Sequence, residues 1–261
     1  MSKKQILISI IVASIILVCA LIYYFKVVQP SNQPPPPSQN QNGVEGTGDF
    51  NVGVEPISPA IEIAKPDLDR AIVVSDKTLP AEVTSGAVEK LKTVIAVAKK
   101  NPADYQAWTS IGLYRKMIGD YQGAAEVWLY VLNFQKQNHL VMSNLGNLYA
   151  QNLKDYPRAE KYYLMNLSLQ PNNFEGYINL YQLYKNQYKE KIAQAPVILK
   201  QGIEKNPDSI ILMIELARHY KVAGDIKSAQ VYYEQAIGVA VKIKDTSIEK
   251  SLREELAGIS Q

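Results

Sequence analysis

Cysteine occurs once in 261 residues, as Cys19, inside the longest apolar stretch of the chain. The remainder therefore carries no disulfide record of its compartment, and a Cys–His dyad in a folded body is excluded. Histidine is nearly as scarce, with only His139 and His219. Glu215 and His219, four residues apart, put two potential ligands on one helix face, but a metal site needs three or four. No glycine-rich phosphate loop sits between a strand and a helix, because Gly43-Val44-Glu45-Gly46-Thr47-Gly48 has no periodic segment on either side. Carboxylates are plentiful, yet none stands apart from solvated helix faces. Charge of one sign is also missing. The surplus of 28 Lys and Arg over 25 Asp and Glu is supplied by Lys3, Lys4 and Lys26, and no acidic residue precedes Glu45. Beyond Lys26 the signs balance, which leaves no electrostatic footprint for nucleic acid. The residues thus point to no catalytic set, no metal and no cofactor.

What is present is repetition. Asn101-Pro102-Ala103-Asp104, Gln170-Pro171-Asn172-Asn173 and Asn206-Pro207-Asp208-Ser209 are near-copies, each between helical runs. A chain built this way is an array, whose units bury their apolar faces only by stacking on neighbours. One pass reads Trp108, Ile111, Gly112, then Gly119-Asp120-Tyr121, Ala124, Trp128 and Val131. The next reads Met142, Asn144, Leu145, Gly146, Asn147, Tyr149, then Asp155-Tyr156, Ala159 and Tyr163. The third reads Tyr177, Asn179, Leu180, Tyr181, Gln182, Tyr184, and the fourth Met213, Glu215, Leu216, Ala217, Arg218, Tyr220, then Gly224-Asp225, Ala229, Tyr233 and Ala236. Small residues (Gly112, Gly146, Ala217) suit a close approach of helices, and Gly119 and Gly224 suit left-handed helix ends. Asp120, Asp155 and Asp225 suit N-caps. The prolines stop one repeat and suit the first turn of the next.

This pattern resembles the tetratricopeptide repeat, over roughly residues 103 to 243. The resemblance has faults: Arg115 stands where Tyr is usual, one extra residue lies near Asn152-Leu153, and Tyr181 replaces a small residue. The third repeat also has a longer inter-helix stretch around Tyr188-Lys189-Glu190. The fold it implies is all-α, a right-handed α-solenoid of about four helix-turn-helix repeats (about 105–138, 139–173, 174–209 and 210–243) with capping helices. Residues 81–101 are predicted to form an N-terminal capping helix or the second helix of a decayed repeat, with Ala87, Val88, Leu91, Val94, Ile95 and Ala98 at helical spacing. Residues 245–261 form the C-terminal cap, with Thr246-Ser247-Ile248-Glu249 as a capping box and Ile248, Leu252, Leu256 and Ile259 as its stripe. Residues 61–80 are too apolar for a free linker and too broken by proline for a long helix. They are expected to form a strap on the solenoid.

Residues 1–28 hold a further element. Ile6 to Phe25 is uncharged, long enough to cross a hydrocarbon core of about 30 Å, and carries a Tyr23-Tyr24 pair near its end, where an interfacial aromatic belt belongs. A cleaved signal peptide needs a shorter apolar centre and a small-x-small site, and Tyr23-Tyr24-Phe25-Lys26 is a poor one. Leu17-Val18-Cys19 lacks the small residue expected before a lipidated cysteine. The lysines before the span outnumber Lys26 after it, which predicts a cytoplasmic N-terminus and an extracytoplasmic body. Residues 29–60, with Pro34 to Pro37 among Ser, Asn, Gln and Gly, read as a disordered tether.

In the family, helix A of each repeat lines the concave side, and its second, fifth, sixth, ninth and twelfth positions often contact peptides. Carried over, these become Thr109, Ser110 and Lys116; Ser143, Asn144 and Asn147; Asn179, Gln182 and Lys185; and Glu215, Arg218 and Lys221. Asn144 and Asn179 share one position, and their amides can serve an extended peptide backbone. The expected function is a non-enzymatic, membrane-anchored scaffold holding a protein or peptide partner in envelope assembly, secretion or quality control. The alternative is a carbohydrate or cell-wall binder that stacks sugars on groove tyrosines. Most of the seventeen tyrosines fall at packing positions, whereas Tyr130, Tyr162, Tyr188 and Tyr232 are less clearly inward.

Overall fold

A computed structural model describes residues 64–76 and 78–259. The predicted span (1–28) and tether (29–60) lie outside those residues. Among the described residues the regular structure is entirely helical, and no helix is long and apolar enough to cross a membrane. A non-helical segment, 64–76, with a bend at 68–70, precedes α1 (Ala81–Lys100). The hairpins that follow are α2 (Tyr105–Met117) with α3 (Tyr121–Phe134), and α4 (His139–Leu148) with α5 (Tyr156–Leu169). Next come α6 (Phe174–Gln182) with α7 (Ala195–Lys205), and α8 (Ile210–Val222) with α9 (Ile226–Lys242). A final helix, α10 (Thr246–Ala257), stands in the A position of a further hairpin.

The boundaries follow from local chemistry. Asp104, Asp120, Asn138, Asp155, Asn173, Asp225 and Asp245 each cap a helix, accepting a side-chain bond from the backbone N–H three residues on. Each such cap stabilises its helix by about 1 kcal/mol relative to alanine. Asp245 holds this post for α10, so Thr246 is the first helical residue, Ile248 takes the third place and Glu249 the fourth, and the predicted capping box does not form. Pro102, Pro171 and Pro207 lie in the turn before the cap, not in the first helical turn. The N–H of Asp104, Asn173 or Ser209 closes that turn on the carbonyl of Asn101, Gln170 or Asn206. Proline suits the second place of such a turn because its φ is already set. The prolines that do occupy first helical turns are Pro157 and Pro196.

At the other end of the hairpins, Gly119 and Gly224 have φ of 80° and 81°. Asp120 N–H then reaches the Arg115 carbonyl (2.9 Å), and Asp225 N–H reaches that of Tyr220 (3.0 Å). The second hairpin has one residue more. Asp155 N–H reaches back to Tyr149 (3.0 Å), and the surplus is taken up by a π-helical turn, Tyr149–Leu153, ending in Lys154 at φ 57°. The third hairpin absorbs its longer connection in a second π turn, Leu183–Gln187, and a 3₁₀ turn, Lys189–Gln194. Single extra residues in helices are commonly housed this way.

Packing follows a strict register. The seventh residue after the A-helix cap is Ile111, Leu145, Leu180, Leu216 and Leu252 in turn, all buried. One residue later stand Gly112 and Gly146. A Cβ on Gly112 would lie 2.3 Å from the Trp128 indole, and one on Gly146 would lie 2.5 Å from the Tyr163 ring. Trp128 in turn donates from Nε1 to the Thr109 carbonyl (3.0 Å). The third hairpin exchanges the sizes: Tyr181 fills the small site, and buried Leu199 stands where the others carry an aromatic. Trp108 and Tyr177 share a register and donate to the carbonyls of Pro102 and Pro171, both at 3.0 Å, tying each A helix to its own entry turn. Tyr130 and Tyr162 prove buried, packed against Trp108 and Tyr149 respectively.

Gly112→Ala should cost about 1–3 kcal/mol, because the methyl group must displace a buried indole. Gly86→Ala in α1, where nothing lies within 4 Å of the new methyl, should gain about 0.5–1 kcal/mol. Urea midpoints moving in the same direction for both variants would refute the interlock.

Candidate functional site

Each A helix (α2, α4, α6, α8) turns one side to the core and leaves another open. At about 100° per residue, positions two, five, six, nine and twelve after the cap share a face roughly opposite the buried seventh and eleventh. From the second hairpin onward, the A helices or the π turns that extend them touch their successors. Gln187 Nε2 donates to Gln151 Oε1 (3.1 Å), His219 packs edge-on against Tyr181 (5.8 Å), and Arg218 bonds Glu255.

The sixth residue after the cap is Ser110, Asn144, Asn179 and Glu215 in succession, each partly exposed. Ser110 and Thr109 spend their hydroxyls on the carbonyls of Gln106 and Tyr105 (3.0 and 2.8 Å). Among the described residues, none forms a hydrogen bond with the side chains of Ser143, Asn144 or Asn179. Those amides are accessible and unspent in equivalent places of successive hairpins.

The other candidates are partly committed. Asn147 Oδ1 accepts from Tyr163 Oη (2.8 Å), so this residue locks its own hairpin. Gln182 Oε1 accepts from Asn186 Nδ2 (2.6 Å). Lys185 lies over the Tyr181 ring, with Nζ 5.2 Å from the centroid. Arg218 grips Glu255 of α10 through Nε (3.2 Å) and Nη2 (2.7 Å), and Tyr233 Oη donates to the same carboxylate (2.8 Å). The Arg218 guanidinium holds the Glu255 carboxyl below its ordinary range. Arg218 therefore fastens the last helix and is spent there.

Lys116, Lys185 and Lys221 share the twelfth position, with Ala150 at that place in the second hairpin. None of the three lysines forms an ion pair among the described residues. Burial alone pulls the Lys116 ammonium down from its usual value. Leu113, Leu140 and Ile211, all exposed, add apolar surface to the same helices. The face thus combines a central amide ladder, a cationic border and scattered aliphatic contacts. The A-helix tyrosines 149, 177, 181 and 184 are buried, so their rings are used inside the hairpins. Glu215 turns to Arg218 (3.8 Å), and among the described residues no group of three His, Cys, Asp or Glu side chains is placed to hold a metal.

Two constellations were not legible in the sequence. Glu160 of α5 accepts from Tyr184 Oη and pairs with Lys191 of the 3₁₀ turn, pinning the long third connection to the second hairpin. Arg115, buried in the place usual for Tyr, pairs with Asp120 at 2.6 Å, and Asp120 also receives Arg70 of the segment before α1. The oddity of Arg115 was the available signal; its partner across the turn was not.

No protein-family model matches the chain, and no curated protein matches its sequence. Solved structures align with part of it. The crystal structure of MamA aligns at a TM-score of 0.50 and 16% identity, over 59% of this chain and 89% of that one. A tetratricopeptide repeat protein from Parabacteroides merdae ATCC 43184 aligns at a TM-score of 0.49 and 19% identity, over 69% and 71%. PilF of Pseudomonas aeruginosa aligns at 0.46 and 16% identity, over 67% and 89%. The likeness to MamA is one of fold alone, an all-helical array of hairpins.

Burial, and then the Lys185 cation, lower the His219 pKa from its ordinary 6.5. The folded chain favours the neutral ring, so the unfolded chain binds the proton more readily. This part of the stability is full above about pH 6.5 and is lost as pH falls below it. His219→Gln should flatten the melting temperature against pH between about 6.5 and 5 relative to the parent, and an unchanged slope would contradict the assignment.

Proposed function

We propose that the protein is a non-enzymatic scaffold, anchored by residues 1–28, that holds an extended segment of a protein partner on its A-helix face outside the cytoplasm. Work in envelope assembly, secretion or quality control suits that arrangement. The observation that carries the proposal is the pair of unspent amides, Asn144 and Asn179, at one register on the side that the B helices leave open. A side-chain amide can donate to a main-chain carbonyl and accept from a main-chain N–H at once. An extended backbone lying across both helices can therefore meet the two amides in turn. Such a ladder reads main chain, leaving preference to Leu113, Leu140, Ile211 and the lysines. Anchorage and orientation rest on the uncharged stretch Ile6 to Phe25 and its flanking lysines.

Replacing both Asn144 and Asn179 by alanine should weaken partner capture about tenfold, at about 0.5–1.5 kcal/mol for each hydrogen bond lost, without moving the melting temperature. The check is photocrosslinking in intact cells from a probe at position 179, with position 161 on α5 as control. A discrete adduct from 179 that the Asn144→Ala change diminishes is expected. Adducts of equal yield from both positions, or none from 179, would defeat the proposal.

A further inference from the structure

The non-helical segment that precedes α1 crosses the tip of the first hairpin. The chain bends at residues 68–70, where Asp69 N–H closes on the Asp67 carboxylate (2.8 Å), and runs on without regular structure to residue 76. Leu68 is buried and Ile72 half-buried, while Val73 is exposed. The Arg70 guanidinium bridges Asp120 (2.5 Å) and Glu126 (3.4 Å). Asp69 pairs with Lys99. Ser75 N–H donates to the Ile118 carbonyl (3.0 Å), and Tyr121 Oη donates to Asp76 (3.1 Å). The contact is therefore mostly ionic, with one buried aliphatic side chain.

The tip is shaped for this segment. A Cβ on Gly123 would lie 2.1 Å from Arg70 Nη2, and one on Gly119 would lie 2.5 Å from the Asp76 Cβ. The equivalents of Gly123 on the second and fourth B helices are Arg158 and Ser228. Arg115 supports Asp120 from beneath, at a place where the other A helices carry Tyr149, Tyr184 and Tyr220. Of the first hairpin's departures from the shared register, Gly123 faces the segment and Arg115 acts on it through Asp120.

The fourth hairpin serves as a control within the same molecule. Its Gly224-Asp225 tip makes the same turn, with the same cap bond, yet nothing lies within 4 Å of a Cβ on Gly224, and Val222 beside it is 83% exposed. A tip of this geometry folds uncovered.

We propose that the first hairpin tip is a second peptide-binding site, separate from the A-helix face, whose resident ligand is residues 68–76 of the same chain. The segment is a latch that opens while the repeats stay folded. The ligand class is a peptide with aliphatic, arginine and aliphatic side chains at alternate positions and an aspartate six residues after the arginine. Closed, the latch fixes where the preceding chain leaves the body; open, it lengthens the connection ahead of α1.

Hydrogen exchange on the full-length chain tests this. Arg70→Ala should speed exchange of the Ser75 amide, which is bonded to the Ile118 carbonyl, about tenfold, as should 1 M salt, which screens exposed ion pairs, with α2 and α3 keeping their protection. Gly123→Ala should act likewise, although alanine is the better helix former. A synthetic peptide of residues 64–76 should bind the Arg70→Ala chain and be excluded from the parent. Loss of protection in α2 and α3 together with the segment would overturn the proposal. So would unaltered exchange of the Ser75 amide in both variants, or a peptide that binds both chains equally or neither.

Discussion

Where two helices of a hairpin cross most closely, one must be small wherever the other is large. Gly112 meets Trp128, Gly146 meets Tyr163, and Ala217 stands in register with Tyr233. Tyr181 reverses the assignment against Leu199, and both are fully buried. This rule consumes the aromatic side chains of the array. Rings buried in this way stabilise each hairpin through area removed from water. They also leave the open side of the A helices to amides, lysines and short aliphatic side chains. The chemistry available to a ligand is what remains after packing has been satisfied.

The same rule explains where irregularity is tolerated. The π turns at 149–153 and 183–187 fall after the buried seventh and eighth positions of their A helices. Extra residues there lengthen the tip without shifting the register below it, so Asn144 and Asn179 keep equivalent places. An insertion before those positions would rotate the buried stripe out of the core. The longer third connection carries little buried apolar surface of its own, and Ile192 within it is 48% exposed. It is held instead by Glu160, through Tyr184 and Lys191, with Lys191 also lying over the Tyr184 and Tyr188 rings.

Much of the fold could be read from residues alone because its determinants are local. A cap needs only an acceptor three residues before an orphan N–H, and a left-handed turn needs only glycine. Asp120, Asp155, Asp225, Gly119 and Gly224 accordingly do what their positions imply. The register of candidate ligand residues was legible for the same reason. Their availability was not. Whether Asn147 faces a ligand or Tyr163 depends on a partner sixteen residues away, and the commitment of Arg218 depends on Glu255, thirty-seven away. Tyr130 and Tyr162 lie at the margin of the helical stripe, and only neighbouring rings bury them. The course of residues 64–76 was the least legible, because its contacts span about half a hundred positions and follow no period.

Arg115 shows how a flaw in a repeat can be informative. It is 2% exposed, and its Asp120 partner is largely buried too. Burying such a pair costs desolvation of both charges, and an apolar substitute of similar volume is often as stable or more so. Tyrosine does the job in three other hairpins, so stability alone gives no reason for arginine here. Burial works to raise the Asp120 pKa, but bonds from Arg115, Arg70 and the Gly123 N–H outweigh it, and the carboxyl stays below its ordinary range. The buried guanidinium thus keeps an anion at a hairpin tip where the cap alone needs only an oxygen. That anion faces Arg70. A charge maintained at cost, beside a glycine that leaves room for the incoming guanidinium, is what a recognition site requires and what a simple turn does not.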